Sequence, residues 1–237
     1  MSVIWHDIEC GAYGADVELW RSLAREHGGP VLDVGSGTGR IALDLARRGH
    51  RVIALDRDAE LISELSARAQ GLPVETVVAD AREFELASRF GLIIVPMQTI
   101  QLLGGASGRK RFLERARAHL AHGGRLAIAI SEQLELYEVD PDSPAPLPDI
   151  RELDGVLYSS QPTAVREDPP GFVLDRRRET VDAEGRRTVE RDVIRIDALT
   201  TAELEREAAE IGLDRTGRIE IPATADHVGS TVVMFDA

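Results

Sequence analysis

Three aspartates and three glycines are the residues of this chain whose types and spacing point most directly to chemistry. Asp33, Asp56 and Asp80 each stand at the end of a short apolar run, and Gly35, Gly37 and Gly39 follow the first of them in "VLDVGSGTGRIALDLA". A carboxylate at the tip of a strand accepts hydrogen bonds from ammonium groups and vicinal hydroxyls, and glycine lets the backbone approach a ligand where a side chain would collide. Two phosphate-binding patterns fit poorly. A dinucleotide fingerprint places its third glycine at position 40, which is Arg40 here, and a P-loop needs a lysine followed by serine or threonine, which is missing. Asp33 adds to this, because a carboxylate two residues before Gly35 opposes a pyrophosphate and suits a cationic ligand.

The order of apolar strand, acid and G-x-G-x-G resembles the first motif of the class I S-adenosylmethionine-dependent methyltransferases. The resemblance implies S-adenosylmethionine as cofactor, with Gly35, Ser36, Gly37 and Gly39 packed against its methionyl and ribose parts. It further implies that Asp56, with Arg57 beside it, takes the ribose hydroxyls. In "VVADAREF" it gives Asp80 the adenine amino group and the Ala81 backbone N–H a ring nitrogen. In "IVPMQTIQLL", Pro96 stands where relatives line the cofactor, and Gln98, Thr99 and Gln101 face cofactor or substrate. Tyr13 sits where relatives often have a tyrosine that reaches the cofactor's carboxylate. The segment after the fourth strand departs from the Asn/Asp-Pro-Pro-Tyr motif of enzymes that methylate nucleic-acid bases.

A sulfonium methyl group needs a nucleophile held in line and water excluded; an amine acceptor need only be neutral, whereas a hydroxyl benefits from a base. The candidate catalytic residues are His227 in "ATADHVGST", and Glu132 and Tyr137 just after the fifth strand. His6, His27, His50, His119 and His122 show no spacing to a carboxylate pair, so no metal site is expected. Lys110 is the sole lysine, which removes lysine from nearly every catalytic scheme.

The elements that must position these residues follow from hydrophobic pattern. Val31–Val34, Arg51–Asp56, Pro73–Asp80, Phe90–Pro96 and Gly123–Ile130 read as continuous apolar strands. They alternate with helices at Arg40–Arg48, Ala59–Gln70 and Arg109–Leu120. Continuous runs of this kind are what a parallel sheet covered on both faces requires. A helix over Asp16–His27 precedes them, and a helix over Thr200–Gly212 and two strands, Arg215–Ile221 and Ser230–Asp236, complete the core. From Gly155 to Ile196 the pattern is strand-like, with a hairpin turn at Asp182–Gly185 and arginine-rich strands that alternate charge with apolar residues; a grip on an acidic substrate is one use for them. The expected architecture is α/β: a Rossmann-like, doubly wound seven-stranded sheet whose last strand is antiparallel, with an inserted antiparallel β flap. As a domain plan this is one methyltransferase domain over 1–237, with an N-terminal lid helix at 11–28 and the flap at 141–197, entered through the proline-rich "DPDSPAPLPD".

Composition sets the remaining bounds. The 237 residues suffice for one full-sized core. Cys10 is the only cysteine, which excludes an intramolecular disulfide and a multi-cysteine zinc site. The formal charge of −13 disfavours nucleic acid as partner. No apolar run reaches the ~18 residues of a membrane helix, and the opening "MSVIWHDIEC" lacks the plan of a secretory signal, so the expectation is a cytoplasmic protein without a membrane partner. A homodimer is compatible with the sequence. The expected function is methyl transfer to nitrogen or oxygen of a small organic molecule. A NAD-dependent oxidoreductase and a catalytically silent cofactor-binding protein stand as alternatives.

Overall fold

The computed structural model describes residues 3–140, 146–224 and 227–237; within the proline-rich stretch, 141–145 lie outside the described residues. The chain opens with helix α1 (Val3–Cys10) and helix α2 (Val17–His27). Strand β1 (Val31–Val34), helix α3 (Arg40–Arg47), strand β2 (Val52–Asp56), helix α4 (Ala59–Arg68) and strand β3 (Val74–Val78) then alternate. They are followed by strand β4 (Phe90–Val95), a single 3₁₀ turn (Thr99–Leu102), helix α5 (Gly105–His119) and strand β5 (Leu120–Ile130). Five further strands come next: β6 (Tyr137–Glu138), β7 (Asp149–Leu153), β8 (Val156–Asp168), β9 (Gly171–Val181) and β10 (Arg187–Asp197). Helix α6 (Thr201–Glu210) and strands β11 (Asp214–Ile221) and β12 (Ser230–Asp236) end the chain.

The chain divides into two compact units, the first taking in Tyr13–Glu132 with Leu199–Ala237 and the second Ile4–Ala12 with Gln133–Ala198. In the first, seven strands run in the order β11-β12-β5-β4-β1-β2-β3. The five central strands are parallel, and β12 pairs antiparallel with β5 and with β11, so the expected fold is the observed one. The pleat sends alternate residues to two cores. Leu32, Val34, Ile53, Leu55, Ile93 and Val95 pack against Phe112 and Leu113 of α5 and Leu204 of α6. Val31, Val52, Ala54, Leu92 and Ile94 pack against Trp20 of α2, Ile41 and Leu45 of α3 and Leu65 of α4. Both faces being covered explains why these strands read as unbroken apolar runs. Asp33 has the parity of Val31 and so belongs to the face of α2 and α3. The strand order reverses between β1 and β4, and in open α/β sheets ligands bind outside the carboxyl ends of the strands at such a point.

The second unit is an antiparallel sheet ordered β10-β9-β8-β6, with β7 also paired to β8. It is larger than the sequence suggests. Strand β7, "DIREL", begins inside what reads as the end of the proline-rich stretch. "GVLYSS" and "TAVRE" belong to one strand, which absorbs Pro162 at a register shift between Pro162 and Ala164, where a missing N–H does no harm. Helix α1, whose apolar Ile4, Trp5 and Ile8 span only two turns, packs on this sheet. Trp5 meets Tyr158 edge-on, and Arg178 donates to both carboxylate oxygens of Glu9 at 2.8 and 2.9 Å. The arginines of β8 to β10 are matched by acids of the same sheet: Asp175 pairs with Arg166 and Arg191, and Glu179 with Arg177 and Arg187. That pairing, rather than a grip on an acidic substrate, accounts for the alternation of charge there.

Helix α6 begins with a reciprocal cap. Thr200 Oγ1 accepts from the Glu203 N–H, and Glu203 accepts from the Thr200 N–H at 2.9 Å. Replacing Thr200 with alanine is expected to lower stability by about 1 kcal/mol; a denaturant midpoint unchanged by Thr200→Ala would contradict this account of the helix start.

Candidate functional site

The turn from β1 into α3 is fixed by its own backbone. The N–H groups of Gly35 and Ser36 both donate to Leu55 O, at 2.8 and 3.1 Å, tying the loop to β2. Gly37 N–H donates to Asp56 Oδ2 and Asp58 N–H to Asp56 Oδ1, each at 2.9 Å, so one carboxylate spans the glycine loop and the start of α4. Gly35, Gly37 and Gly39 have φ of 72°, 54° and 94°, in the left-handed region that side chains resist. At two of them space is also closed. A Cβ on Gly35 would lie 2.5 Å from Thr99 Cγ2, and one on Gly39 would lie 2.2 Å from Leu65 Cδ1. Arg57 is exposed beside Asp56.

Asp33 is 1% exposed, and its Oδ1, like the buried Oγ of Ser36, has no hydrogen-bond partner among the described residues. Burial pushes the Asp33 carboxyl up to about 7, against the pull of Arg40 and of the Ala42 N–H. Leaving such buried groups unmatched costs on the order of 1–3 kcal/mol each, so each of the two oxygens calls for a donor.

Arg40, the first residue of α3, reaches back to the segment before α2. Its Nη1 and Nη2 donate to the two oxygens of Asp16 at 2.6 and 2.7 Å, and Nη1 also donates to Tyr13 O at 2.8 Å. The guanidinium carbon lies 5.1 Å from the Tyr13 ring centroid, and the His227 ring lies 4.8 Å from it, tilted by 38°. The Tyr13 hydroxyl bonds Ser230, and its pKa is raised, first by burial and then by Asp16. The structure thus brings together Tyr13 and His227, which are far apart in sequence. Asp16 stands at the N-cap position of α2 but does not cap it; its side chain is given to Arg40 and to Trp20 Nε1, at 2.8 Å.

At the end of β3, Asp80 accepts from the Arg82 N–H and Nε at 2.8 and 2.9 Å and from its Nη2 at 2.6 Å. These bonds with Arg82 hold its carboxyl at about 2, so it is an acceptor only. Ala81 is buried beside it. At the end of β4, Pro96 is buried, Met97 takes a φ of 56°, and Thr99 Oγ1 donates to Pro96 O at 3.0 Å. Gln101 holds the end of β5 with both ends of its amide. Its Nε2 donates to Ser131 O at 3.1 Å and its Oε1 accepts from Ser131 N–H at 2.9 Å. Gln98 Nε2 donates to Ser131 Oγ, which donates in turn to Gly229 O.

Glu132 Oε1 accepts from the Thr201 N–H at 2.6 Å, at the first turn of α6. Tyr137 lies on β6 of the second unit, paired with Val165, and burial raises its pKa. Arg40, Asp16, Ser131 and Arg82 are the side chains that sequence reasoning does not assign to the site. Only Arg82, two residues from Asp80, carries a local signal.

The raised Asp33 carboxyl has a consequence for stability. Its pKa exceeds the unfolded value, so its penalty is full above pH 7 and vanishes below about pH 4. Asp33→Asn is expected to melt higher than the parent at pH 8, with the difference shrinking toward pH 4.5. A variant that melts lower at pH 8, by calorimetry or circular dichroism, would refute the unmatched carboxylate.

Residues 31–124 match the family model described as a methyltransferase domain. The chain is 28% identical over 131 residues to the cypemycin N-terminal methyltransferase of a Streptomyces species, covering 55% of this chain and 54% of that one. It is 35% identical over 116 residues to a probable cobalt-precorrin-6B C(15)-methyltransferase of Methanothermobacter thermautotrophicus, covering 46% and 57%. The chain thus spans about half the length of these curated relatives. Its fold matches that of CalS10, an amino pentose methyltransferase from Micromonospora echinaspora, with a TM-score of 0.74, 20% identity and coverage of 99% and 97%. The glycine loop and the acids at the ends of β1, β2 and β3 thus lie within the residues that match a methyltransferase domain, and the chain has the fold of a solved methyltransferase.

Proposed function

We propose that the protein is an S-adenosylmethionine-dependent methyltransferase acting on nitrogen or oxygen of a small organic molecule. The observation that carries this reading is the buried Asp33 Oδ1, without a hydrogen-bond partner among the described residues, in the strand that leads into the glycine loop, with acceptor carboxylates also at the ends of β2 and β3. These residues fit the cofactor. Asp33 and Ser36 offer acceptors to an α-ammonium, Asp56 offers its remaining lone pairs to ribose hydroxyls, and Asp80 and the Ala81 N–H address an adenine edge. Tyr13 meets the carboxylate, and Pro96 lines the site. When bound, S-adenosylmethionine supplies a methyl group made electrophilic by a sulfonium.

The chain's own part is to orient the acceptor, exclude water and take up a proton. Of the candidate bases, Glu132 is engaged with Thr201, so His227 is the proposed proton acceptor for an acceptor that needs one. Tyr137 is carried as a candidate for contact with the acceptor. An amine is the favoured nucleophile, because two of the similar proteins are described as an N-terminal and an amino pentose methyltransferase. We place the protein in the cytoplasm, in keeping with its single cysteine. Among the described residues no helix is long and apolar enough to cross a membrane. The net charge of −13 supports a small-molecule partner over nucleic acid, and a homodimer is part of the reading.

Calorimetric titration with S-adenosylhomocysteine tests the cofactor. Binding near the micromolar range is expected, weakened about tenfold or more by Asp56→Ala; folded wild-type protein that binds NAD and not S-adenosylhomocysteine would reinstate an oxidoreductase. The pH profile tests Asp33. Only the ionised carboxylate attracts an ammonium, so affinity is expected to fall as pH drops from 8 to 6, approaching a factor of about ten per unit below the Asp33 pKa of about 7. Asp33→Asn should bind more weakly at pH 8 and lose the slope. A slope that persists in Asp33→Asn assigns the titration to another group.

A further inference from the structure

Arg40 enters the sequence argument only as the residue that spoils a dinucleotide fingerprint, and the proposed reaction gives it nothing to do. Its surroundings are nonetheless built. The Arg40 side chain is 12% exposed and that of Asp16 1%, and the fork between them uses both terminal guanidinium nitrogens, Nη1 and Nη2, and both carboxylate oxygens. Such a pair is demanding to bury and is strong only when its geometry is complete. Asp16 receives a third donor from Trp20, and Arg40 spends a further bond on Tyr13 O.

Anchoring α2 does not account for this arrangement. Trp20 is fully buried in the core beneath α2, and Arg21 of the same helix makes a second fork with Asp44 of α3, at 2.7 and 2.8 Å. Helix α2 is therefore fastened without Arg40. What Arg40 alone adds is the location of residues 13–16. It holds Tyr13 by its carbonyl and faces its ring, while Ser230 holds the hydroxyl and His227 lies against the same ring. Because Arg40 follows Gly39 directly and opens α3, the glycine loop and Tyr13 are coupled through one side chain.

We propose that Arg40 is a positioning residue that, by its bonds to Asp16 and to Tyr13 O, sets where Tyr13 lies relative to the glycine loop that it follows and so sets the affinity for the amino-acid end of the cofactor. The inference rests on the cofactor reading above. A lysine keeps the charge but lacks the planar fork, and cannot serve Asp16 on two oxygens and Tyr13 O together. Its effect is confined to one end of the ligand, which a general loss of structure would not be.

The experiment compares two ligands on the full chain by calorimetry: S-adenosylhomocysteine, and 5′-methylthioadenosine, which has the same nucleoside without the amino-acid group. Arg40→Lys is expected to weaken S-adenosylhomocysteine by about tenfold or more while changing 5′-methylthioadenosine by less than about twofold. Equal losses for both ligands, or no loss for either, overturn the proposal. Where circular dichroism shows Arg40→Lys to be unfolded, the double variant Arg40→Gln/Asp16→Asn removes both buried charges together, and the same comparison decides. Wild-type protein that binds neither ligand overturns the cofactor reading along with this one. Wild-type protein that binds both with equal affinity supports the cofactor's nucleoside half and overturns the role given to Arg40.

Discussion

The carboxylate of Asp33, buried at the end of a four-residue strand, is the constraint around which the first unit is arranged. Its Oδ1 has no donor among the described residues, and it sits on the face of the sheet covered by α2 and α3. A chain that buries an unmatched acceptor must hold the surrounding backbone by other means, or the loop would rearrange to satisfy it. Those means are visible. Leu55 O takes two loop N–H groups, Asp56 takes a third, and Thr99 and Leu65 close on Gly35 and Gly39 so tightly that only glycine fits. The loop is over-determined, and it holds its shape with Asp33 Oδ1 unmatched among the described residues. Stability given up at one residue is thus compensated by its neighbours.

This arrangement also explains which parts of the molecule the sequence discloses. Strands β1, β2 and β4 are legible because a strand buried on both faces has no polar alternation to obscure it. Helix α6 is legible because its cap is written within four residues, from Thr200 to Glu203. Contacts made at long range are silent. "VIWHDIEC" places Ile4, Trp5 and Ile8 at helical spacing over only two turns, too short a run to mark a helix, and what fixes it lies far away in sequence: Arg178, 169 positions on, holds the buried Glu9, and Tyr158 meets Trp5. Asp16 opens the stretch that reads as a helix and is a partner of Arg40. Gln101 also braces Ser131, 30 positions away. In each case only the fold brings the partner near.

The second unit shows the same principle in its charges. Its strands are rich in arginine, and from the sequence alone the alternation of charged and apolar residues reads as a sheet with one wet face, with a grip on an acidic substrate as a further use. In the fold nearly every such arginine on β8 to β10 faces an acid of the same sheet, and Arg178 is buried between Glu9 and Asp192. Exposed pairs of this kind contribute little to stability, about 0–1 kcal/mol each. The buried Glu9–Arg178 fork is different, because losing one partner strands the other. It therefore fixes where helix α1 lies on its sheet, a role of registry more than of net stabilisation.

The charge pattern at the carboxyl edge of the large sheet separates this site from phosphate-binding sites built on the same topology. In those, the N-terminus of the helix after β1 faces an anion and offers it backbone N–H groups, in P-loops together with a lysine. Here Asp33 lies behind that helix start, Asp56 takes up a loop N–H that would otherwise be offered to a phosphate, and Asp80 is held ionised by Arg82. Arg40 does not reverse the sign, because its charge is matched by Asp16 at 2.6 Å. On the cofactor reading proposed above, three acceptors along one edge suit a ligand that presents donors at three points: an ammonium, a pair of ribose hydroxyls and an exocyclic amine. A pyrophosphate would meet carboxylates where it needs N–H groups, so on that reading the choice between these ligands rests on electrostatics at the strand tips and not on the shape of the fold.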